Sequence, residues 1–539
     1  MDGWQLGAKL PVYATSMNIS DPSDACTPLS GNTPDLSHKL VLVRRGECTF
    51  AEKAANVAAK GGRYLMFYNN VPSGLVLPDI GDTTIKYVGM ITARDGAYLV
   101  NSFAAGENTA IFFPKKGGIS TPNYSTGGYA SSFTEWGPSW EGYMKPEIAA
   151  PGGSILSTYP VMKGGYAILS GTSMASPYIA GIAALYYGKH GGRKNLPTET
   201  AAELKKRIIS SGRAIDWNNG NRTYFGQLAP TAQIGGGYVN ATKVLTYQTS
   251  VSPGKLELND TMFFNPHHTI TIRNSGHQAV DYTITHLPVS TFYTFQDYRF
   301  PTPFPPAFVN DTASVIFSSE SIIISPNTTA SFNVTFTPPQ RLDKASLPVY
   351  GGKIVITGSN GERLEVPYLG IWGNIKKQYP WGKTSPIIND SDGYLFTKPR
   401  NFNFTNGNMA LNFTYTNYWG SREIRFDVVA HDWQEQDFRY PPVPGNGTKF
   451  VGSLVALDNT IFPSLWECRH DIMNQNYQNY QSYRLFSWGG LISTNGIRKD
   501  KLPPGKYKIN MRALKVFGSP GLTKDWESYT SPVITTSWG

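Results

Sequence analysis

One stretch governs how the middle of this 539-residue chain folds: Ser170-Gly171-Thr172-Ser173-Met174-Ala175-Ser176-Pro177-Tyr178-Ile179-Ala180-Gly181. Small and apolar residues continue from it to Gly188 with almost no charge, and a helix that is apolar on all sides is buried inside a sizeable domain. We therefore expect a buried helix from about Thr172 to Gly188. Gly171 is expected to allow a tight turn ahead of it, and Pro177 lies close enough to the start to be tolerated.

Ser173 falls in the first turn of this expected helix. The unpaired backbone N–H groups at that end and the helix dipole favour a developing negative charge. The hydroxyl of Ser173 is therefore a candidate nucleophile. The same pattern also fits a capped core helix of small residues without a catalytic role, and both interpretations stand at this point.

Residues 1–116 have the pattern of a small α+β domain. The run Lys39-Leu40-Val41-Leu42-Val43 predicts a buried strand, and Ala51 to Ala59 predicts a helix that ends at Gly61-Gly62. Tyr64 to Asn70 predicts the next strand. The order of strand, helix, glycine stop and strand is typical of a βαβ unit.

From about Val251 onward the chain consists of short alternating runs separated by turn residues, for example Ser331 to Phe336 and Arg422 to Val429. Such runs predict β-sandwiches, and a Trp- and Gly-rich patch from Trp372 to Gly382 marks a boundary between two of them. The fold class is therefore multidomain. The predicted domains are an α+β domain at 1–116, part of an α/β domain at 117–247, and two all-β sandwiches at 250–376 and 377–539.

The net charge of +10 is dispersed over the chain. The densest cationic clusters are short or interrupted by acid, and no nucleic-acid-binding module is present, so we expect no nucleic-acid partner. No run approaches the roughly 20 apolar residues that a membrane span needs. No loop has a dependable metal-ligand spacing, so we expect no cofactor, and a structural calcium ion has no support in the sequence.

Several features predict a secreted glycoprotein. Residues 1–13 lack the basic start and apolar run of a signal peptide, so the amino terminus of the secreted protein is expected to lie elsewhere. Sequons of the form Asn-X-Ser/Thr are dense, above all in the β-rich half. There are twelve of them, at Asn18, Asn123, Asn221, Asn240, Asn259, Asn310, Asn327, Asn333, Asn389, Asn403, Asn412 and Asn446.

The chain has three cysteines, so they cannot all pair with one another. Cys26 and Cys48 lie in one segment, and an oxidising compartment would allow a disulfide between them. The alternative is two separate buried thiols. Cys468 is the odd one and is expected to be a buried thiol.

The segment from Gly171 to Pro177 resembles, without a break, the nucleophile motif Gly-Thr-Ser-Met-Ala-Xaa-Pro of the subtilisin-like serine proteases. The resemblance implies that Ser173 is the nucleophile and that its own backbone N–H lines half of the oxyanion hole. Three flanking stretches are also similar to segments of this family: Ala130 to Pro138, Tyr143 to Gly153 and Gly235 to Ala241.

The chain departs from the family in ways that bear on activity. Tyr178 replaces a common His at a position outside the triad, which changes little. In the family, the triad Asp and His and the oxyanion Asn precede the Ser, whereas Asn123, the only Asn of 117–172, lies in a sequon. The family's His-Gly-Thr-His segment is absent from the sequence. The eight histidines, none of which has that setting, are His38, His190, His267, His268, His277, His286, His431 and His470.

The stretch from Val41 to Phe50 closely resembles a protease-associated domain. In the large cell-envelope and fungal subtilases, this domain is inserted between the oxyanion Asn and the nucleophile. A chain that starts within it lacks Asp, His and Asn together, which implies a carboxy-terminal fragment. The later β-domains resemble the fibronectin type III-like domains of the same proteases, with lower specificity.

These observations favour a secreted serine endopeptidase that cleaves proteins through an acyl-enzyme at Ser173 and is inactive as the present chain. The expected location is extracellular or in the cell wall. The alternative is a non-catalytic extracellular protein that binds a protein or cell-wall partner through a protease-associated module and β-sandwiches. A carbohydrate-binding protein has only the aromatic-rich carboxy-terminal end in its favour.

Overall fold

A computed structural model describes Trp4, Leu75, Thr302 and residues 6–71, 78–81, 83–115, 127–163, 165–192, 200–218, 224–295, 306–404, 410–445, 447–467 and 484–538. The chain divides into two compact units. The first comprises Met1–Glu135, Ile148–Ala229 and Gly236–Tyr247, and the second comprises Trp136–Glu147, Pro230–Gly235 and Gln248–Gly539.

The elements up to α6 all belong to the first unit except α5, which belongs to the second. In chain order they are β1 Ala8–Ala14, β2 Leu40–Arg44, α1 Phe50–Ala58, β3 Tyr64–Tyr68, β4 Tyr87–Ile91, α2 Ala93–Ala104, β5 Ala110–Phe113, β6 Ile155–Thr158, β7 Tyr166–Leu169, α3 Thr172–Lys189, α4 Thr200–Ser211, β8 Asp216–Asn218, β9 Tyr224–Leu228, α5 Thr231–Ile234 and α6 Ala241–Thr246.

The amino-terminal part of the first unit is a five-stranded sheet. Strands β4, β3, β2 and β1 are parallel, and β5 pairs antiparallel with β1 at the edge. Both faces of β2 are buried, with Val41 and Val43 in the core that includes α1 and Leu40 and Leu42 in the core that includes α2. Burial on both faces explains the continuous apolar run of this strand, and the predicted βαβ unit is confirmed.

The start of α1 is fixed by its own residues. Thr49 Oγ1 accepts a hydrogen bond from the backbone N of Glu52, and the Glu52 carboxylate accepts one from the backbone N of Thr49 at 2.7 Å. This capping box satisfies two backbone donors at the helix end, a contribution of about 1 kcal/mol. Just before it, Cys48 is joined to Cys26, so the predicted disulfide is confirmed. Cys468 lies outside the described residues.

The remainder of the first unit holds the predicted helix as α3, which begins at Thr172 and ends at Lys189. Its predicted burial is wrong: Ile182 is the buried residue of α3, packed with α4 and α6, whereas Leu185 is 60% and Tyr178 is 45% exposed. The prediction fails because the neighbouring described elements cover only one side of a helix that is apolar all round. Within the described ranges, no helix is both long and apolar enough to cross a bilayer.

The second unit is built almost entirely of strands. They are β10 Thr249–Ser252, β11 Leu256–Glu257, β12 His267–Asn274, β13 Val280–Pro288, β14 Thr291–Phe292, β15 Phe308–Val309, β16 Ser314–Phe317, β17 Ser321–Ile324, β18 Thr328–Thr337, β19 Val349–Gly358, β20 Arg363–Ile371, β21 Ile387–Asn389, β22 Arg400–Asn403, β23 Leu411–Tyr415, β24 Ser421–Ala430, β25 Phe450–Val455, β26 Ser464–Glu467, β27 Arg484–Trp488, β28 Leu491–Ser493, β29 Asp500–Lys501, β30 Gly505–Leu514, β31 Trp526–Thr530 and β32 Ile534–Ser537.

The first β-domain consists of two sheets. One has the order β10-β12-β18-β16, and the other has the order β11-β20-β19-β13-β17 with β14 and β15 beside it. On β18, Phe332, Val334 and Phe336 are buried, whereas Ser331 and Asn333 are exposed. This alternation confirms the strand pattern read from the sequence.

Two tyrosines of this domain each lie over a glycine of the neighbouring strand. Tyr350 is directly opposite Gly370, and Tyr368 is directly opposite Gly352. A Cβ atom at Gly370 would lie 2.3 Å from the Tyr350 ring, and one at Gly352 would lie 2.6 Å from the Tyr368 ring. Both rings are buried, so the missing Cβ atoms provide the space in which the rings pack.

The second β-domain pairs a nine-stranded sheet with a three-stranded one. The order in the large sheet is β22-β32-β30-β24-β25-β28-β29, with β26 beside β24 and β31 beside β30, and the small sheet is β21-β23-β27. The core between them is rich in aromatic side chains. Its buried members include Trp381, Phe402, Phe404, Phe413, Tyr415, Phe426, Phe462 and Trp488.

The buried carboxylate of Glu527 forms hydrogen bonds to the segment that leads into this domain. It accepts hydrogen bonds from the backbone N of Trp381 at 2.6 Å and of Lys383 at 2.8 Å, and from the Tyr529 hydroxyl at 3.1 Å. The side chain is 4% exposed. Burial disfavours the charged form and raises the pKa of Glu527 to about 7.

We predict that the second β-domain loses stability as the pH rises from about 4.5 to about 7. A carboxyl whose pKa is raised by folding stabilises the protonated folded state, and this contribution disappears once the folded group ionises. The loss should be on the order of 3 kcal/mol, and Glu527→Gln should flatten the profile. The measurement is urea unfolding followed by tryptophan fluorescence, with the exposed Asp392→Asn as the control. A stability that rises with pH across this window would contradict the prediction.

Candidate active site

Ser173 is the second residue of α3 and its side chain is exposed. The backbone N of Met174 donates to the carbonyl of Gly171 at 3.1 Å, which closes the first turn around the serine. The first four N–H groups of a helix have no partner within it, so the hydroxyl lies beside backbone donors at the positive end of an 18-residue helix. This position suits a nucleophile whose reaction creates an oxyanion.

The start of α3 is held by the segment that precedes β6. The backbone N of Gly171 donates to the carbonyl of Gly152 at 2.8 Å, and the backbone N of Ser154 donates to the Ser170 hydroxyl at 2.8 Å. A Cβ atom at Gly152 would lie 2.8 Å from the Gly171 carbonyl oxygen, which is too close for any other residue. The glycine that the site requires is therefore Gly152.

The role predicted for Gly171 is wrong. Its φ of 166° is extended backbone that any residue adopts, and a Cβ atom there would meet its neighbours at ordinary contact distances. From the sequence, Gly171 was expected to be the required glycine because it directly precedes the helix. The signal for the correct position was the Gly152-Gly153 pair in the stretch from Tyr143 to Gly153.

The structure also brings the stretch from Gly235 to Ala241 to the segment before the nucleophile. The backbone N of Ala149 donates to the carbonyl of Gly237, and the backbone N of Val239 donates to the carbonyl of Ala149, each at 2.9 Å. A Cβ atom at Gly236 would lie 2.1 Å from the carbonyl oxygen of Ile209. The glycine run thus allows a close approach that joins residues far apart in the sequence.

No hydrogen bond reaches the Ser173 hydroxyl from any part of the chain that the structure describes. Two of the described histidines have partners of their own: His286 bonds the Tyr368 hydroxyl at 2.8 Å, and His268 bonds the carbonyl of Asn265 at 3.0 Å. Burial lowers the pKa of His286. His470 and Asn123 fall outside the described residues.

The elements next to the nucleophile expose large apolar side chains. We define the open face as the exposed residues of α3 and of the hairpin formed by β6, β7 and their connection. Its large members are Leu156 (62% exposed), Val161 (88%), Met162 (97%), Tyr166 (63%), Tyr178 and Leu185. An exposed apolar patch of this kind marks an interaction surface.

Three protein-family models match successive parts of the chain. The PA domain matches residues 8–99, the subtilase family matches residues 82–250, and a model described as an Fn3-like domain matches residues 256–369. The matched subtilase region contains α3 and the segments that hold its start.

Curated relatives carry protease names. The chain is 28% identical over 261 residues to the minor extracellular protease Vpr of Bacillus subtilis, covering 46% of this chain and 30% of that protein. It is 31% identical over 214 residues to the C5a peptidase of Streptococcus pyogenes, covering 39% and 17%. It is 26% identical over 406 residues to the PII-type proteinase of Lactococcus lactis, covering 72% and 20%.

The chain therefore spans less than a third of the length of each of these relatives. The family model and the names of these relatives both point to proteases, and the matched subtilase region at residues 82–250 contains the Gly171 to Pro177 motif. On these findings the chain combines a segment that matches the subtilase family with a PA domain and an Fn3-like domain.

Proposed function

We propose that this chain is the part of a secreted subtilisin-like endopeptidase that carries the nucleophile, and that it is inactive by itself. The observation that carries the proposal is the position of Ser173, exposed in the first turn of α3 within the Gly-Thr-Ser-Met-Ala-Xaa-Pro motif. The substrate class is protein, and the reaction is peptide hydrolysis through an acyl-enzyme. No cofactor is part of the proposed mechanism.

In this mechanism the Ser173 oxygen attacks the peptide carbonyl while a base removes its proton. The backbone N–H of Ser173 stabilises the resulting oxyanion, and collapse of the intermediate releases the amine and leaves an ester on the serine. A serine hydroxyl without a base is a poor nucleophile. In subtilisin, loss of the Ser or the His alone costs about 2 × 10⁶ in kcat, or about 8–9 kcal/mol.

We place the missing groups on polypeptide outside residues 1–539. The family's His-Gly-Thr-His segment does not occur in the sequence, and residues 117–172 contain no Asn in the family's Gly-Asn setting. Loss of an oxyanion-hole Asn costs about 10²–10³ by itself. The open face is the proposed docking surface for that polypeptide. Its support is that α3 is apolar on all sides while its large residues Tyr178 and Leu185 remain exposed.

An extracellular or cell-wall location is part of the proposal. It is supported by the Cys26–Cys48 disulfide, which persists in oxidising compartments, and by the density of sequons. The related Vpr protein is named as extracellular. Protein substrates follow from the family.

The second candidate is a non-catalytic binding protein built from the PA domain and the β-sandwiches. The observation in its favour is that Ser173 has no hydrogen-bonded base within the described ranges. The two candidates differ in the coding sequence immediately upstream of Met1. In-frame Asp and His-Gly-Thr-His segments there support the protease, and a true start codon at Met1 supports the binding protein.

We predict that the 539-residue chain alone will not react with a fluorophosphonate probe. Co-expression with the polypeptide encoded upstream, carrying the Asp, His and Asn segments, should restore labelling because the base then reaches the Ser173 hydroxyl. Gel fluorescence measures the labelling, and Ser173→Ala in the complemented protein is the control that should abolish it. Labelling of Ser173 in the chain alone would contradict the prediction, because it would show that the chain already supplies a base for this serine.

A second prediction tests the open face. Gly181 is exposed on α3, and no atom lies within 4 Å of the position that a Cβ would take there. Gly181→Leu should therefore leave the chain alone as stable as before, or more stable by up to about 1 kcal/mol because Gly disfavours helix. The same substitution should block restoration of labelling, because the added side chain prevents docking. Thermal unfolding and fluorophosphonate labelling are the two measurements.

The matched control is Gly31→Leu, at a position that is also free of atoms within 4 Å but lies in the amino-terminal α+β part. It should affect neither measurement. Full restoration of labelling in Gly181→Leu would show that α3 is not covered by the complementary polypeptide.

A further inference from the structure

Asn333 lies on the exposed face of the four-stranded sheet, with its amide nitrogen free. It is in the middle of β18, between β12 and β16, and its Oδ1 accepts a hydrogen bond from the Thr269 hydroxyl at 2.8 Å. In the described structure its Nδ2 has no partner. Thr335, the third residue of the sequon, points to the same face because residues i and i+2 of a strand do so.

The other sequons fall into distinct groups by the use of Nδ2, the atom to which an N-linked glycan is attached. One Nδ2 hydrogen is donated to the carbonyl of Phe263 at 3.3 Å in Asn259, and one is donated to the carbonyl of Asp390 at 3.4 Å in Asn412. Asn18 and Asn327 are exposed and, like Asn333, have no Nδ2 partner among the described residues. The twelve sequons are about twice the number that the Asn, Ser and Thr content gives by chance.

The strand beside Asn333 is an unprotected edge. Strand β16 ends the order β10-β12-β18-β16 in the described sheet, and the backbone N of Ser318 donates to the carbonyl of Asn333 at 2.9 Å. Because alternate residues of an antiparallel strand bond to the partner, the backbone groups of Val315 and Phe317 point away from β18. The strand has no charge or proline, and its Ile316 is 68% exposed.

Ile316 is directly opposite Thr335 and therefore diagonal to Asn333 on the outer face. A free, β-branched and apolar edge favours pairing with another chain, and folded proteins protect such edges by covering them. A glycan on Asn333 would begin within reach of Ile316 and of the free backbone groups of β16. A glycan on Asn333 would thus account both for the exposed edge strand and for the free amide nitrogen.

We propose that Asn333 is N-glycosylated and that its glycan covers the β16 edge, keeping the Fn3-like domain from pairing edge to edge. This inference rests on the secretory route in the proposed function. The Nδ2 nitrogen of Asn333 attacks the anomeric carbon of a lipid-diphosphate-linked oligosaccharide. A C–N bond forms, the C–O bond to the diphosphate breaks, the nitrogen loses one proton to a base of the transferase, and the lipid diphosphate leaves.

The test uses the full chain, secreted from yeast behind a signal sequence. Peptide-N-glycosidase treatment in heavy-oxygen water converts each glycosylated Asn into labelled Asp, and peptide mass spectrometry then gives the occupancy of each site. We expect high occupancy at Asn333, Asn18 and Asn327, whose Nδ2 atoms have no partner among the described residues. An unmodified Asn333 in a chain that is modified at Asn18 and Asn327 overturns the proposal.

A secreted chain that carries no glycan at any sequon overturns the glycan proposal and leaves the protease function untouched, so the two failures are distinguishable. Loss of probe labelling in the complemented protein, by contrast, concerns the protease function alone. The folded state of each variant is checked by thermal unfolding of the secreted chain.

The second readout is self-association, measured by light scattering of the secreted protein. Thr335→Ala removes the acceptor sequon while keeping Asn333, and it should raise the aggregated fraction several-fold. Thr335→Ser keeps the sequon and should behave as the parent chain. Loss of the Asn327 glycan by Asn327→Gln is the control for glycan loss away from β16.

A charged side chain on the edge strand should oppose edge-to-edge pairing in the absence of the glycan. Ile316→Lys combined with Thr335→Ala should return the aggregated fraction to the parent level, because a lysine on an edge strand opposes pairing. A Thr335→Ala chain that stays as monomeric as the parent overturns the shielding role, whatever the occupancy of Asn333.

Discussion

The hydrogen bond from the backbone N of Gly171 to the carbonyl of Gly152 holds the residue before the nucleophile helix in place. It joins the residue before α3 to a segment about twenty positions earlier, and it forms at 2.8 Å only because Gly152 has no Cβ. The same segment continues back to Ala149, which is bonded on both sides to Gly237 and Val239. The start of the nucleophile helix, the segment before it and the glycine run near the end of the subtilase region are therefore fixed together by backbone contacts. Side chains at these positions are small because the backbones themselves are in contact.

The sequence predicted structural features correctly where they are determined by residues in the same segment. The end of α1 and the alternation on β18 depend on residues within a few positions of one another, and the Cys26–Cys48 bridge joins two cysteines that are 22 positions apart in one segment. The location of Ser173 in the first helical turn was predicted for the same reason. The domain limits and the role of Ser173 remain predictions.

The sequence did not predict the burial of side chains that depends on residues far away in the chain. Apolarity around α3 predicted burial, but burial needs elements that pack against every side, and the described elements cover only the side of Ile182. A local pattern is also insufficient on β24, where Arg425 and Asp427 alternate with apolar residues as they would on a solvated face. They are buried there: Arg425 contacts Asp427 at 2.8 Å and lies opposite Arg512, whose guanidinium packs 3.8 Å from the Phe438 ring. Like charges opposite one another are unfavourable without such compensation, and no local pattern shows which loop provides it.

The reciprocal packing of Tyr350 on Gly370 and of Tyr368 on Gly352 has an evolutionary consequence. A side chain can appear at either glycine only after the ring opposite has become smaller, and a smaller ring alone leaves a cavity in the sheet. Each pair must therefore change in two coordinated steps, with a destabilised intermediate between them. In descendants of this chain, these four positions should drift more slowly than other buried positions of the Fn3-like domain, and changes should occur in matched pairs.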